Sequence, residues 1–207
     1  IGSGDMTAYP VLKEIAGLQK PIILSTGLSS LDEVLHAVEY IQSVDPLYKD
    51  PNFLSILQCT SMYPIPFSEA NLNVMQTYNQ LTGLPIGYSD HTEGSKALEI
   101  AVAMGAQILE FHFTDSREGK TFRDHKVSLT KEEVWQLIDD IKAIKALQGT
   151  NVKRVLEVEG EHPVTFRRAV YPKVDIPAGT VLTEELLTTL RPNHGIDARD
   201  YDQVLNK

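Results

Sequence analysis

Gly87-Tyr-Ser-Asp-His-Thr92 brings a hydroxyl, a carboxylate and an imidazole together immediately after a short apolar run. An amphipathic segment from Ser95 to Met104 follows, so this stretch is predicted to be the turn between a strand and a helix. Glu110-Phe-His-Phe-Thr114 closes the next apolar run in the same way. His91 and His112 can therefore converge on one ion if the two strands are parallel neighbours.

The same strand-then-helix order recurs through the first 148 residues. Strict alternation predicts a parallel sheet, and polar residues collect after the strands, as they do in (β/α) barrels. We therefore predict an α/β fold, a (β/α)8 TIM-type barrel, with an open doubly wound sheet as the alternative. Only five strand ends precede residue 115, so we expect the first three strands of a closed barrel to be absent. Strands are predicted at 20–27, 53–58, 86–88 and 108–113, and helices at 8–18 (N-cap Thr7), 31–41, 71–81, 95–104 and after a capping box formed by Thr130 and Glu133.

The character of the sequence changes at Gly149. Residues 149–163 are charged and lack helical periodicity, which predicts a linker. Short β-like runs and a Pro-Ala-Gly turn follow, so we predict a barrel portion over 1–148 and a small β-rich domain over 164–207. Within this second domain, Thr183–Leu187 is expected to form a capped turn of helix.

Composition narrows the classes of partner. The net charge is −9 and there is no run of Lys or Arg, which argues against nucleic acid or an anionic membrane surface. No apolar stretch reaches the ~18 residues of a spanning helix. The single cysteine, Cys59, cannot form an internal disulfide, which favours the cytoplasm. Trp135 and the methionines are expected in the core.

Small hydroxyl residues follow the predicted strands. Each one alone is typical of a helix cap or an ST-turn. Together at four strand ends they favour a site for a phosphate or a carboxylate, supported by the helix N-termini that follow. The residues concerned are Ser3, Ser25, Ser61 and Ser89, the last directly before Asp90.

The two histidines at successive strand ends make a shared divalent metal a candidate, although each alone is more often an ordinary loop or core histidine. Neutral imidazole ligands indicate Mn, Fe, Co or Zn rather than Mg. Two protein ligands would leave positions open for water and substrate. Glu110 lies two residues before His112, so both point to the same face of a strand. Glu110 is a candidate base or a partner that orients a ligand, and a carboxylate neutralised by a buried lysine is the alternative.

A polar loop of 17 residues, 114–130, joins the last strand to the last helix. Such a length is more typical of functional loops than of connectors. Within it, Asp124 and Lys126 are candidates to bind substrate hydroxyls or an anion, and a solvated run of charges is the alternative.

Six motifs together closely resemble the sialic acid synthases, the N-acetylneuraminate synthase family. The resemblance implies a (β/α)8 barrel followed by an antifreeze-like, or SAF, domain in a domain-swapped homodimer. It also implies condensation of phosphoenolpyruvate with an N-acetylated hexosamine, such as N-acetylmannosamine, to a sialic acid or related nonulosonic acid and phosphate. The alternatives are another metal-assisted barrel lyase or aldolase, and a non-catalytic sugar-binding paralogue. The motifs are Gly87–Thr92, Glu110–Thr114, Arg123–Lys126, Lys20–Gly27, Cys59–Thr60 and Arg191–Ile196.

The resemblance also implies roles for individual residues. His91 and His112 match the metal ligands, with Mn as the expected ion and Mg or Co as alternatives. Arg191 matches the arginine that reaches the N-acyl group of the sugar from the partner subunit. Glu110 and Asp124 match catalytic positions that hold sugar and water. The remaining substrate-binding positions are Ser3, Ser25, Ser61 and Ser89 for phosphoenolpyruvate, together with Asp90 and Lys126.

Several positions depart from the family pattern. Ser61, Phe111 and Arg123 replace the usual Asn, Lys and Pro, and Asn193-His194 replaces the usual Gly-X. Compared with the family pattern, we expect the first three strands, with a glutamate and a lysine, to be missing and the SAF domain to end early. We therefore expect the chain to be part of a longer enzyme and to be inactive alone. The motifs fit neuraminic, legionaminic and pseudaminic products equally.

Overall fold

A computed structural model describes residues 1–207. The chain divides into two units, Ile1–Gly149 and Thr150–Lys207. No helix combines the length and the apolar composition that crossing a bilayer requires.

Strands and helices alternate along the first unit, as predicted. The strands are β1 (Ile22–Ser25), β2 (Leu54–Cys59), β3 (Ile86–Ser89) and β4 (Ile108–Glu110). The helices are α1 (Tyr9–Gly17), α2 (Leu31–Val44), α3 (Val74–Thr82), α4 (Lys96–Ala103), α5 (Asp124–Val127) and α6 (Lys131–Gln148).

The four strands form one parallel sheet in the order β1-β2-β3-β4. Ile1 lies beside β1, because its ammonium group donates to the Ile23 carbonyl at 2.8 Å and its carbonyl accepts from the Ser25 N–H at 3.0 Å. The α/β class with a parallel sheet is confirmed. The strands form half of a barrel-like sheet, not a closed barrel.

Helix starts follow the local sequence. The Ser30 hydroxyl accepts from the Glu33 N–H while the Glu33 carboxylate accepts from the Ser30 N–H, which begins α2. The predicted box of Thr130 and Glu133 begins α6 in the same way. The predicted N-cap Thr7 is wrong by one residue, since α1 follows Ala8 and carries a proline in its first turn.

The two faces of the sheet differ. On the helix-covered face, Leu24, Ile56 and Ile86 are buried, and they belong to the main hydrophobic core. On the opposite face, here called the inner face, Ile23 is 46% exposed. Gly87 lies at a close approach on this face, because a β-carbon there would lie 2.4 Å from the Ile108 carbonyl oxygen.

The apolar side of α6 is only partly covered. Leu137 is buried, but Ile138 is 40% exposed and Trp135, expected in the core, is 62% exposed. The helix packs on α4 along a narrow stripe, so much of its apolar surface stays accessible. Periodicity gave the direction of the apolar stripe but not how much of it is covered.

The second unit contains one antiparallel pair, β5 (Ala169–Pro172) and β6 (Leu187–Leu190), with short helices α7 (His162–Phe166) and α8 (Tyr201–Val204). The predicted helical turn at Thr183–Leu187 is wrong. The Leu186 N–H donates to the Thr183 carbonyl at 3.0 Å to close a turn, and the chain then enters β6.

Candidate functional site

A cavity of about 480 Å³ opens at the carboxyl ends of the strands, where a parallel α/β sheet places its ligands. The structure brings together in it all four predicted serines, both predicted histidines and Glu110. It is lined by Gly2, Ser3, Gly4, Ser25, Leu28, Ser61, Tyr63, Ser89, His91, Glu110, His112 and Arg123. We call it the main cavity.

Strand register explains which side chains reach the main cavity. Cys59, Ser89 and Glu110 lie side by side across β2, β3 and β4. Because paired residues of parallel strands point to the same face, all three share the inner face. The residues next to them in the chain point to the helix-covered face. Gln58 is an example, since its side-chain amide donates to the Ala70 carbonyl at 3.2 Å.

Cys59 lies at the centre of the serine cluster, a role that the sequence analysis missed. Its Sγ is 3.9 Å from Ser3 Oγ and 3.8 Å from Ser61 Oγ, and these two hydroxyls are hydrogen-bonded at 3.0 Å. Burial raises the pKa of the thiol, but hydrogen bonds with His91, Ser25 and Ser89 outweigh burial and lower that pKa to about 7. The available sequence signal was that Cys59 is the last residue of β2, because alternation along the strand places that residue on the inner face.

The His91 ring is held in one orientation. Its Nδ1 lies 2.8 Å from the Thr60 carbonyl oxygen, which can only accept, so Nδ1 carries the proton and Nε2 presents its lone pair. Burial lowers the pKa of His91, but the hydrogen bonds with Cys59 and the Thr60 carbonyl outweigh it and raise the pKa above its usual value.

The His112 ring lies beside that of His91, with centroids 5.2 Å apart. Two imidazoles that share an ion at about 2.1 Å from each nitrogen have centroids about 5 Å apart, so this separation is one that a shared ion would allow. Burial and the neighbouring His91 lower the pKa of His112, which favours the neutral form that a ligand needs. Asp124 Oδ2 lies 3.7 Å from His112 Nδ1, where it can orient the ring.

Tyr63 covers the histidine pair and was also missed. Its ring centroid is 3.9 Å from that of His91 and 5.3 Å from that of His112. The Arg123 guanidinium lies 4.8 Å from the centroid of the same ring. The available sequence signal was that Tyr63 is an aromatic residue only two positions after Ser61, a predicted site residue.

Three predicted residues of the first unit, Asp90, Asp124 and Lys126, are not among those that line the main cavity. Both carboxylate oxygens of Asp90 accept from Thr92, so this buried side chain closes its own loop. Lys126 pairs with Glu93 at 2.9 Å on the surface. Arg191 lies in the second unit, where its Nε donates to the Phe166 carbonyl at 2.5 Å.

Comparison with known proteins identifies the family to which the chain belongs. The model of the NeuB family matches residues 1–153, and that of the SAF domain matches residues 167–207. The N,N'-diacetyllegionaminic acid synthase of Campylobacter jejuni is 38% identical over all of this chain and 61% of its own length. The N-acetylneuraminate-9-phosphate synthase of Mus musculus is 38% identical over 91% of this chain and 51% of its own length.

A solved structure agrees with these matches. The N-acetylneuraminic acid synthetase of Leptospira borgpetersenii, in complex with citrate, superposes with a TM-score of 0.70 at 30% identity, over 78% of this chain and 54% of that one. The chain thus spans between 51% and 61% of the length of these two curated relatives. The motifs, the fold and the matches agree: the chain belongs to the NeuB family.

Proposed function

We propose that the protein containing this chain condenses phosphoenolpyruvate with an N-acetylated hexosamine, such as N-acetylmannosamine, to a nonulosonic acid and phosphate. The observation that carries the proposal is the gathering of four serines, two histidines and Glu110 in the main cavity. The relatives named as legionaminic acid and N-acetylneuraminate-9-phosphate synthases support the same class of reaction.

A divalent ion on His91 Nε2 and a nitrogen of His112, Mn²⁺ first and Mg²⁺ or Co²⁺ as alternatives, would polarise the aldehyde oxygen of the open-chain sugar. The tautomer of neutral His91, which leaves Nε2 without a proton, and the lowered pKa of His112 fit this role. Asp124, 3.7 Å from His112, would keep the second ring in position.

The other side chains bind and move protons. C3 of phosphoenolpyruvate bonds to the aldehyde carbon, and the aldehyde oxygen takes up a proton to become a hydroxyl. Water then adds at C2, and the bond between C2 and the bridging phosphate oxygen breaks to release phosphate and leave the C2 ketone. Hydroxyls of the serines around Cys59 would donate to the phosphate oxygens throughout. Glu110, on the inner face and exposed to the main cavity, would take the proton of the attacking water.

We also propose the domain-swapped homodimer in which Arg191 binds the N-acyl oxygen of the sugar in the partner's site. A guanidinium donating to a neutral oxygen contributes about 1.5–3 kcal/mol. Arg191→Ala in the full-length protein should then raise the KM for sugar about 10-fold while the KM for phosphoenolpyruvate stays unchanged. Mixed dimers of Arg191→Ala and His91→Ala subunits should regain activity, and a mixture with verified subunit exchange but no recovery would contradict the swap.

We also propose that the protein works in the cytoplasm, because the thiol of Cys59 is free.

The direct test is release of phosphate by the full-length protein from phosphoenolpyruvate and N-acetylmannosamine, with 2,4-diacetamido sugars as further substrates. Release should require both substrates, and Glu110→Gln should lower kcat by about 100-fold or more. Cleavage of a sugar acid without phosphoenolpyruvate would favour an aldolase. Sugar binding without turnover would favour a non-catalytic paralogue.

A further inference from the structure

A second cavity lies beside the main cavity, at the carboxyl ends of β1 and β2 and the amino ends of α2 and α3. Its volume is about 520 Å³, and we call it the side cavity. Leu28 and Ser61 line both cavities, so the two share a wall.

The shared wall is thin. A β-carbon on Gly27 would lie 2.0 Å from Ser61 Oγ and 2.9 Å from Ser3 Oγ, so a larger residue there would require both serine side chains to move. The next residue, Leu28, has φ of 66°, a left-handed conformation that is uncommon for leucine, and its side chain is 77% exposed. A ligand in the main cavity can therefore extend past Leu28 without displacing a buried side chain.

The chemistry of the side cavity differs from that of the main cavity. Its lining contains no Asp, Glu, Lys, Arg or His. The amide nitrogens of Gln58 and Asn71 donate to the carbonyls of Ala70 and Glu69, each at 3.2 Å. Their amide oxygens are thereby fixed as acceptors, which suit ligand hydroxyls and disfavour an anion.

Neither helix start in the side cavity offers an anion site. The first three N–H groups of α3 donate to the carbonyls of residues 71–73 at 3.0–3.1 Å. The first turn of α2 already holds the carboxylate of Glu33, which accepts from the Ser30 N–H at 2.7 Å. A phosphate here would lose its hydration without gaining a cation, and it would lie near the carboxylate of Glu33.

We infer that the side cavity binds the end of the acceptor sugar that lies away from the reacting carbonyl, and that this end is uncharged and hydroxylated. This rests on the proposed function and narrows its substrate class to sugars without a terminal phosphate. Thr77, half-buried on α3 and lining the side cavity, supplies a hydroxyl that makes no hydrogen bond within the chain.

The unmodified full-length protein gives the first test. With phosphoenolpyruvate in excess, kcat/KM for N-acetylmannosamine should exceed that for its 6-phosphate by about 100-fold or more. Preference for the 6-phosphate would overturn this inference and leave the proposed function standing. No phosphate release with either sugar, or with 2,4-diacetamido sugars, would overturn both.

A filled cavity gives the second test. Thr77→Phe should raise the KM for the sugar about 10-fold or more and leave the KM for phosphoenolpyruvate unchanged. Gln80→Phe places the same ring on an exposed position of the same helix and should change neither constant. An unchanged sugar KM in folded Thr77→Phe protein would overturn the inference. If that variant does not fold, the comparison of the two sugars decides alone.

Discussion

The helix-covered face and the inner face of the sheet are built from the same four strands but differ in what covers them. Ile56 on the helix side is 0% exposed, whereas Ile23 on the inner face is 46% exposed. Apolar residues occur on both faces, yet the serines, the histidines and Glu110 lie only at the mouth of the inner one. The first unit is therefore stabilised mainly on one face and carries its chemistry on the other.

A matched pair of isoleucines gives the largest expected difference between the faces. Ile56→Ala should lower the free energy of unfolding of the 207-residue chain by about 2–5 kcal/mol, because it leaves a cavity in the core. Ile23→Ala should lower it by about 1 kcal/mol or less, since the side chain is already half exposed. Urea unfolding measures both. Equal losses in this chain would contradict the contrast between the faces.

Overpacking the inner face should have the next largest effect. Gly87→Ala would place a methyl group 2.4 Å from both the Ile108 carbonyl oxygen and Leu57 Cδ2, which we expect to cost about 1–3 kcal/mol. Gly17→Ala, at the end of α1 with nothing within 4 Å of the new carbon, is the matched control and should be neutral or slightly stabilising. The melting temperatures of the two variants are compared. A Gly87→Ala protein as stable as the control would show that the strands can separate there.

The serine cluster should show the smallest effect, confined to function. Ser3→Ala in the full-length protein removes a hydroxyl 3.0 Å from Ser61 Oγ, and we expect the KM for phosphoenolpyruvate to rise about 5-fold, equivalent to about 1 kcal/mol. Ser43→Ala, on the exposed side of α2, is the control and should leave it unchanged. Steady-state kinetics, with each substrate varied in turn while the other is saturating, measure both constants for both variants. A larger rise in the KM for sugar than in the KM for phosphoenolpyruvate would contradict the phosphate-binding role of the serines and indicate that they bind the sugar.

Much of this contrast could be predicted from the sequence. Strict alternation predicted the parallel sheet, and the capping box of Thr130 and Glu133 predicted where α6 begins, because these signals are local. Period-2 alternation placed Glu110 with His112, and it would also have separated Ser89 from Asp90 if it had been continued past the strand.

Other features needed the fold. Cys59 is central only because four loops distant in sequence meet around it, which no local pattern encodes. Trp135 and Ile138 lie on an apolar stripe of α6 whose cover depends on neighbouring elements. Tyr63 belongs to a loop without periodicity, so its distance from Ser61 pointed to a place near the site but not to contact with both histidines.

Binding of one divalent ion by His91 and His112 tests the central claim most directly. Titration of the full-length protein with Mn²⁺, followed by the electron paramagnetic resonance signal of the free ion, should show one site per chain. His91→Ala and His112→Ala should each weaken that site by about 100-fold or more, whereas His36→Ala, on the exposed side of α2, should bind as the unchanged protein does. Undiminished Mn²⁺ binding in either of the first two variants would contradict the account.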